Sequence, residues 1–134
     1  MKTKDLTGYR VVAVHAHPDD ETLFMGGTLA SLAARGAEVT VITLTLGEDG
    51  EVIGEPYQGL ADHDQLGGFR ARELANALEA LGVKGIQLGG FGHFRDSGMA
   101  GSPSHEDSRA LVNRIDEAAD FLGEELEAID PHAI

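Results

Sequence analysis

The chain has 134 residues, 42% of them hydrophobic, and no cysteine, which is enough for one buried core but for neither a disulfide framework nor a thiolate metal site. Its formal net charge of −13 leaves no basic patch to neutralise phosphate, which excludes nucleic-acid binding and docking on an anionic membrane. No stretch is long and apolar enough to span a bilayer, and the basic Met1-Lys2-Thr3-Lys4 is not followed by an apolar run, so a cytoplasmic location is expected.

The first element is an apolar, β-branched strand, Arg10 to His15, followed by His15-Ala16-His17-Pro18-Asp19-Asp20-Glu21. A helix is expected over Thr22 to Arg35, with Leu23, Leu29, Leu32 and Ala33 as its apolar stripe and Gly36 as its C′ stop. Gly26-Gly27 inside it suits close approach of helix and sheet. Val39 to Leu46 reads as a second strand buried on both faces. Leu66 to Leu81 reads as a helix with Leu74, Leu78 and Leu81 inward and Gly82 at its end, and Val83 to Leu88 as a third strand. A last helix is expected to start near Ser104, with Asp107 three residues on as a capping pair and Leu111, Ile115, Leu122, Leu126 and Ile129 at helical spacing. Asp130 to Ile134 resembles the entry to a fourth strand.

Strand alternating with helix implies an α/β fold, a Rossmann-like three-layer αβα architecture with a mostly parallel sheet wound right-handedly. The dinucleotide fingerprint is missing, because Gly47-Glu48-Asp49-Gly50 is too acidic to cradle a pyrophosphate.

Two imidazoles and three carboxylates within seven residues, at the carboxyl end of a strand, point to a metal site. His17 and Asp20 are the best ligand pair, since one turn separates them and Pro18 stiffens the path. Asp19 then points to the other side of the turn, where a carboxylate beside the ion but off it can act as general base. Capping is the competing explanation, because acidic residues entering a helix suit its dipole, but capping does not account for the flanking histidines. Gly47 to Gly68 and Gly89 to Ser104 are longer than connection requires and should open onto the same rim. Glu51, Arg70 and Asp96 within them and just beyond form a polar set suited to the hydroxyls of a sugar or polyol.

Ala16-His17-Pro18-Asp19-Asp20-Glu21 resembles the signature of the PIG-L or LmbE-like family of zinc-dependent de-N-acetylases. Gly47 to Gly54, Asp64 to Arg70 and Arg95 to Gly101 resemble its mycothiol-biosynthesis branch, whose substrate is an N-acetylglucosaminyl-inositol, more than the related S-conjugate amidase. The resemblance implies one Zn2+ held by His17 and Asp20, Asp19 as the base, and Glu51, Arg70, Asp96 and Met99 against the amino-sugar inositol. His15 is then not a ligand and packs or hydrogen-bonds beneath the site.

The implied reaction is hydrolysis of an acetamide; the other function classes are a different N-deacetylase and a non-catalytic glycan- or polyol-binding domain. Members of the family carry a later segment, a Tyr-Asp stretch running into His-Pro-Asp-His, which supplies the third ligand. Residues 1–134 are therefore expected to form a single deacetylase-like domain, the N-terminal portion of the family fold, with the third ligand outside it. His63, His93, His105 or a partner subunit would be the substitutes. A sheet edge left unpaired would invite a homo-oligomer.

Overall fold

A computed structural model describes residues 3–134. Three strands, β1 (Arg10–His15), β2 (Glu38–Thr43) and β3 (Lys84–Gln87), form a parallel sheet in the order β1-β2-β3. Arg10 pairs with Glu38 through to His15 with Thr43, and Thr40 pairs with Lys84 through to Thr43 with Gln87. A parallel bridge between Val11 and Ala133 brings the chain to the other side of β1, with the Val12 amide donating to the Ala133 carbonyl at 3.0 Å. The spatial order of these segments is therefore β3-β2-β1-Ala133, and the expected fourth-strand entry sits where the sequence placed it.

β2 is the central strand. Val39 to Thr43 are all buried, as the near-continuous apolar run requires of a strand covered on both faces. Its ladder closes at Thr43, although the amides of Leu44 and Thr45 still donate to the carbonyls of His15 and Ala16. Alternation along β1 divides the core. Val11 and Ala13 face α1 (Asp20–Ala34) and α3 (Leu66–Leu81) with Leu29, Val39, Val41 and Leu78, while Val12 and Val14 face α4 (Ile115–Ile129) with Ile42, Leu88, Phe94 and Ala118. Helices on both faces complete the αβα sandwich. A short helix, α2 (Gly59–Asp62), lies in the connection ahead of α3. No helix among the described residues is long and apolar enough to cross a membrane.

α3 has the expected limits, and Gly82 ends it in the left-handed conformation at φ 73°, which a side chain would resist. The last helix does not begin near Ser104. Residues Pro103–Glu106 and Leu111–Asn113 are 3-10 turns, and α4 starts at Ile115. The intervening backbone is committed elsewhere: Arg95 and Ala110 form a bridge, Asp107 accepts from the Arg109 amide at 2.7 Å, and the Asn113 side chain donates to the carbonyls of His105 and Asp107. Asp107 thus caps a turn and not a helix, and Leu111 packs against α4 from outside it. Leu23 is 71% exposed, not part of the α1 stripe. It lies six positions before Leu29, about 240° around the helix, whereas Met25, four before, lies on the buried face. Gly26 and Gly27 are not needed for close approach, since a Cβ would make ordinary contact at the first and none at the second.

Candidate active site

β1 delivers His17 to the carboxyl edge of the sheet, beside the point where the chain order reverses between β1 and Ala133. The turn that follows is shaped at Asp19, whose φ of 110° lies in the left-handed region and costs a non-glycine residue about 1–3 kcal/mol. Asp19 occupies the N-cap position of α1 but makes no side-chain cap hydrogen bond. Its own amide donates to Oε2 of Glu21 at 3.0 Å, and Glu21, 1% exposed, accepts the Thr22 hydroxyl on its other oxygen. Capping therefore accounts for Glu21, which holds the N-cap amide, but not for Asp19, whose carboxylate caps nothing.

His17 and Asp20 face each other across the turn. Nδ1 lies 3.6 Å from Asp20 Oδ2, which also accepts the His17 amide at 3.0 Å. The far ring nitrogen, Nε2, is 3.2 Å from Oδ1 of Asp96. Hydrogen bonding to Asp96 is the largest influence on the His17 ring and raises its pKa against the opposing effect of burial. Burial pushes the Asp96 carboxyl up, but His17 and the amides of Gly98 and Asp49 together outweigh it and leave the pKa lowered. Asp96 is 8% exposed and its own amide donates to Glu48.

The donor set fits two corners of a zinc site. Ligand atoms about 2.0–2.1 Å from a tetrahedral ion stand roughly 3.3 Å apart, close to the Nδ1–Oδ2 separation, and a carboxylate on the far nitrogen is the usual way to orient a ligating imidazole. Among the described residues, no group of three His, Asp or Glu side chains converges as a metal cluster. His93 bonds Glu117 at 2.9 Å, and Nδ1 of His105 is buried without a partner, so neither joins His17. Nε2 of His15 is likewise buried and unpartnered, so this ring packs beneath the site and does not hydrogen-bond through that nitrogen.

A cavity of about 760 Å³ opens beside the turn, and His17, Asp19, Glu51, Arg70, Asp96 and Met99 all line it. Asp20 does not, being turned inward toward the His17 amide. Glu51 is exposed and, among the described residues, has no side-chain hydrogen bond or ion pair. Met99 is 82% exposed. Arg70, on α3, turns toward the carboxylate of Asp19 at 3.0 Å and toward the carbonyls of Gly47 and Pro18. Asp49, on the loop expected to open onto this rim, also lines the cavity, together with Glu73 and an apolar wall of Ile53, Tyr57 and Phe69 that were not singled out from the sequence. Glu73 had a signal, since it follows Arg70 by one helical turn and must share its face; the wall had none, because its residues sit in an aperiodic loop and at the start of α3.

A parallel three-layer sheet with its polar cleft at the carboxyl edge and at the reversal of strand order is the architecture of a doubly wound α/β protein that binds small molecules there. The chain belongs to the PIG-L family, described as GlcNAc-PI de-N-acetylase, whose pattern matches residues 12–133. It is 59% identical over its whole length to a 1D-myo-inositol 2-acetamido-2-deoxy-alpha-D-glucopyranoside deacetylase of Corynebacterium glutamicum, covering 47% of that protein. It is 56% identical to the protein of that name from Mycolicibacterium smegmatis, over 93% of the chain and 44% of the relative. The chain thus spans about half the length of the curated relatives it matches. Among solved structures it resembles a deacetylase of teicoplanin biosynthesis in complex with teicoplanin, with TM-score 0.66, 26% identity, and 91% and 55% of the two chains covered. It also resembles the N,N'-diacetylchitobiose deacetylase of Pyrococcus horikoshii, with TM-score 0.54, 32% identity, and 66% and 30% covered.

Proposed function

We propose that these residues carry the base and two metal ligands of an N-deacetylase that hydrolyses the acetamide of an N-acetylglucosaminyl-inositol. The observation that carries the reading is Asp19, whose carboxylate is 56% exposed into the cavity, held by Arg70, and adjacent in sequence to the His17–Asp20 pair without joining it. The names of relatives more than half identical to this chain support the substrate class.

His17 and Asp20 would hold a zinc ion, which when bound would supply a Lewis acid for the acetamide carbonyl and for water. Asp19 accepts the proton of the attacking water and can return it to the nitrogen as the C–N bond breaks, leaving acetate and a free amine. Glu51, exposed on the cavity wall, accepts from hydroxyls of the sugar or inositol, and Met99 covers the ring face. Asp96 borders the same space, but its Oδ1 is engaged by His17. A small, uncharged, polyhydroxylated substrate of the cytoplasm suits a cavity lined by five carboxylates, Asp19, Asp49, Glu51, Glu73 and Asp96.

The test is acetate release from N-acetylglucosaminyl-inositol by zinc-loaded enzyme, with zinc stoichiometry measured alongside. Wild-type protein turns over, and Asp19→Asn loses about 10²–10⁴-fold in kcat while keeping its zinc and its sugar binding. Turnover that survives Asp19→Asn would overturn Asp19 as the base, and wild-type protein that binds the sugar without releasing acetate would leave a glycan-binding domain in the enzyme's place.

A further inference from the structure

We propose that Tyr57 and Phe69 form an aromatic platform on which a C–H face of the substrate's cyclitol or sugar ring lies, so that Tyr57 is a specificity-determining residue of the cavity. The inference rests on the cavity being an amino-sugar site, and not on which residue is the base.

The cavity lining is of two kinds. Asp19, Glu51, Arg70 and Asp96 offer hydrogen-bonding groups, whereas Ile53, Tyr57, Leu60 and Phe69 offer none beyond one phenol. Tyr57 is 52% exposed and Phe69 41%, with Ile53 more open still. One exposed apolar side chain needs no explanation, but two rings in contact, with a third apolar group on the same wall, make a patch that water covers poorly.

The rings are held in place. Their centroids lie 6.1 Å apart with the planes tilted by 48°, within the range of favourable aromatic pairs. Tyr57 ends the 3-10 turn Glu55–Tyr57, whose N-cap, Gly54, has φ 101°. A Cβ on Gly54 would stand 3.3 Å from the Tyr57 ring, so glycine there serves both the turn and the close seat of the ring. The Tyr57 amide donates to the Gly54 carbonyl at 3.1 Å, and the Gln58 side chain donates to the Val52 carbonyl at 2.8 Å. A loop without periodicity is therefore built around one ring, and the second ring comes from the first turn of α3.

Ring chemistry says what such a platform takes. In a cyclitol or pyranose whose hydroxyls are mostly equatorial, the oxygens point outward round the rim and axial C–H bonds project from the faces. Those bonds are polarised by the neighbouring oxygens and suit the electron-rich face of an aromatic ring. The polar lining suits the hydroxyl rim and the platform suits the face, so one ring of the substrate satisfies both. A flat anion, which would also stack there, is opposed by the carboxylates of the same cavity.

The experiment uses zinc-loaded enzyme with two substrates, N-acetylglucosaminyl-inositol and N-acetylglucosamine. Tyr57→Ala raises KM for the conjugate about tenfold while kcat stays within about twofold. Tyr57→Phe, which keeps the ring face and loses the hydroxyl, recovers most of that loss. A penalty with both substrates puts the sugar on the platform, and a penalty with the conjugate alone puts the inositol there. An unmoved KM in Tyr57→Ala overturns the proposal, as does a Tyr57→Phe enzyme as impaired as Tyr57→Ala, which would mean a hydrogen bond from the phenol.

A binding measurement on wild type needs no variant to fold. With glucosaminyl-inositol as the probe, saturating the aromatic protons of the protein transfers magnetisation to ring C–H protons of the ligand, and ring currents move those protons upfield. Bound ligand without either effect overturns the platform, and failure to bind overturns it together with the amino-sugar site. Wild-type protein that binds the probe but releases no acetate ends the deacetylase reading alone.

Discussion

Oδ1 of Asp96 lies 3.2 Å from Nε2 of His17, so a residue from the loop after β3 fixes which nitrogen of a β1-edge imidazole is turned toward Asp20. In the neutral ring the proton sits on Nε2 facing Asp96, and the Nδ1 lone pair is left for a metal. Asp96 is nearly buried and receives two further amides, so the carboxylate that orients His17 is itself held by the backbone.

Asp96→Ala is therefore expected to weaken zinc binding by about 10–100-fold, the usual cost of removing an outer carboxylate from a ligating histidine. Competition against a chromophoric chelator measures it. Asp96→Asn, which keeps an acceptor oxygen, should lie between; unaltered affinity in Asp96→Ala would show that His17 is oriented without it.

The alternating strand-helix pattern, the limits of β1 and α3, and the clustering at His17-Pro18-Asp19-Asp20 were all legible, because periodicity and strand-end position are local signals. What each side chain faces was less so. Arg70 and Asp96 reach the cavity as expected, yet the strongest bonds of both go to neighbouring groups of the site, and those bonds depend on loops meeting from opposite ends of the chain. The stretch Ser104 to Arg114 shows the same limit: its composition suits a helix, but the bridge from Arg95 to Ala110 claims its backbone first.

Met99, 82% exposed, contributes almost nothing to the fold as it stands. Met99→Ala should leave the melting temperature within the effect of about 0.5 kcal/mol expected of a surface change. If it covers the bound sugar, KM rises by up to about tenfold, equivalent to about 1.4 kcal/mol of apolar area left in water. Steady-state kinetics with a thermal melt separates the two effects, and an unmoved KM would remove Met99 from the substrate site.

Phe94 is fully buried and makes edge contacts with His93 and Phe121, while Arg114 lies over its ring at 5.1 Å. Two residues further on stands Asp96. Phe94→Ala should cost about 3–5 kcal/mol of stability, read from denaturant unfolding. Zinc affinity should fall with it, since the loop that carries Asp96 loses its anchor in the core. Destabilisation without any loss of affinity would show that the amides of Gly98 and Asp49 hold Asp96 unaided.

Arg95, its side chain 16% exposed, pairs with Asp64 through both terminal nitrogens and lies within 4.0 Å of Asp49 and Asp107, so it gathers the loops that border the cavity. The Arg95 hydrogen bonds hold Asp64 below the ordinary carboxylate pKa. A depressed folded value means that the pair's stabilisation is complete above the unfolded pKa, about 3.9, and is lost as pH falls through the lower folded value. With Asp64 64% exposed, solvent limits the effect to about 0.2–1 kcal/mol. Asp64→Asn is the clean comparison, because asparagine tolerates the φ of 51° that this position adopts. The stability difference between wild type and Asp64→Asn should be constant from pH 7 to about 5 and fade as pH falls below the unfolded carboxylate value of about 3.9 and through the lower folded one. A difference that persists unchanged into that acid range would mean that shape, not charge, holds Asp64 against Arg95.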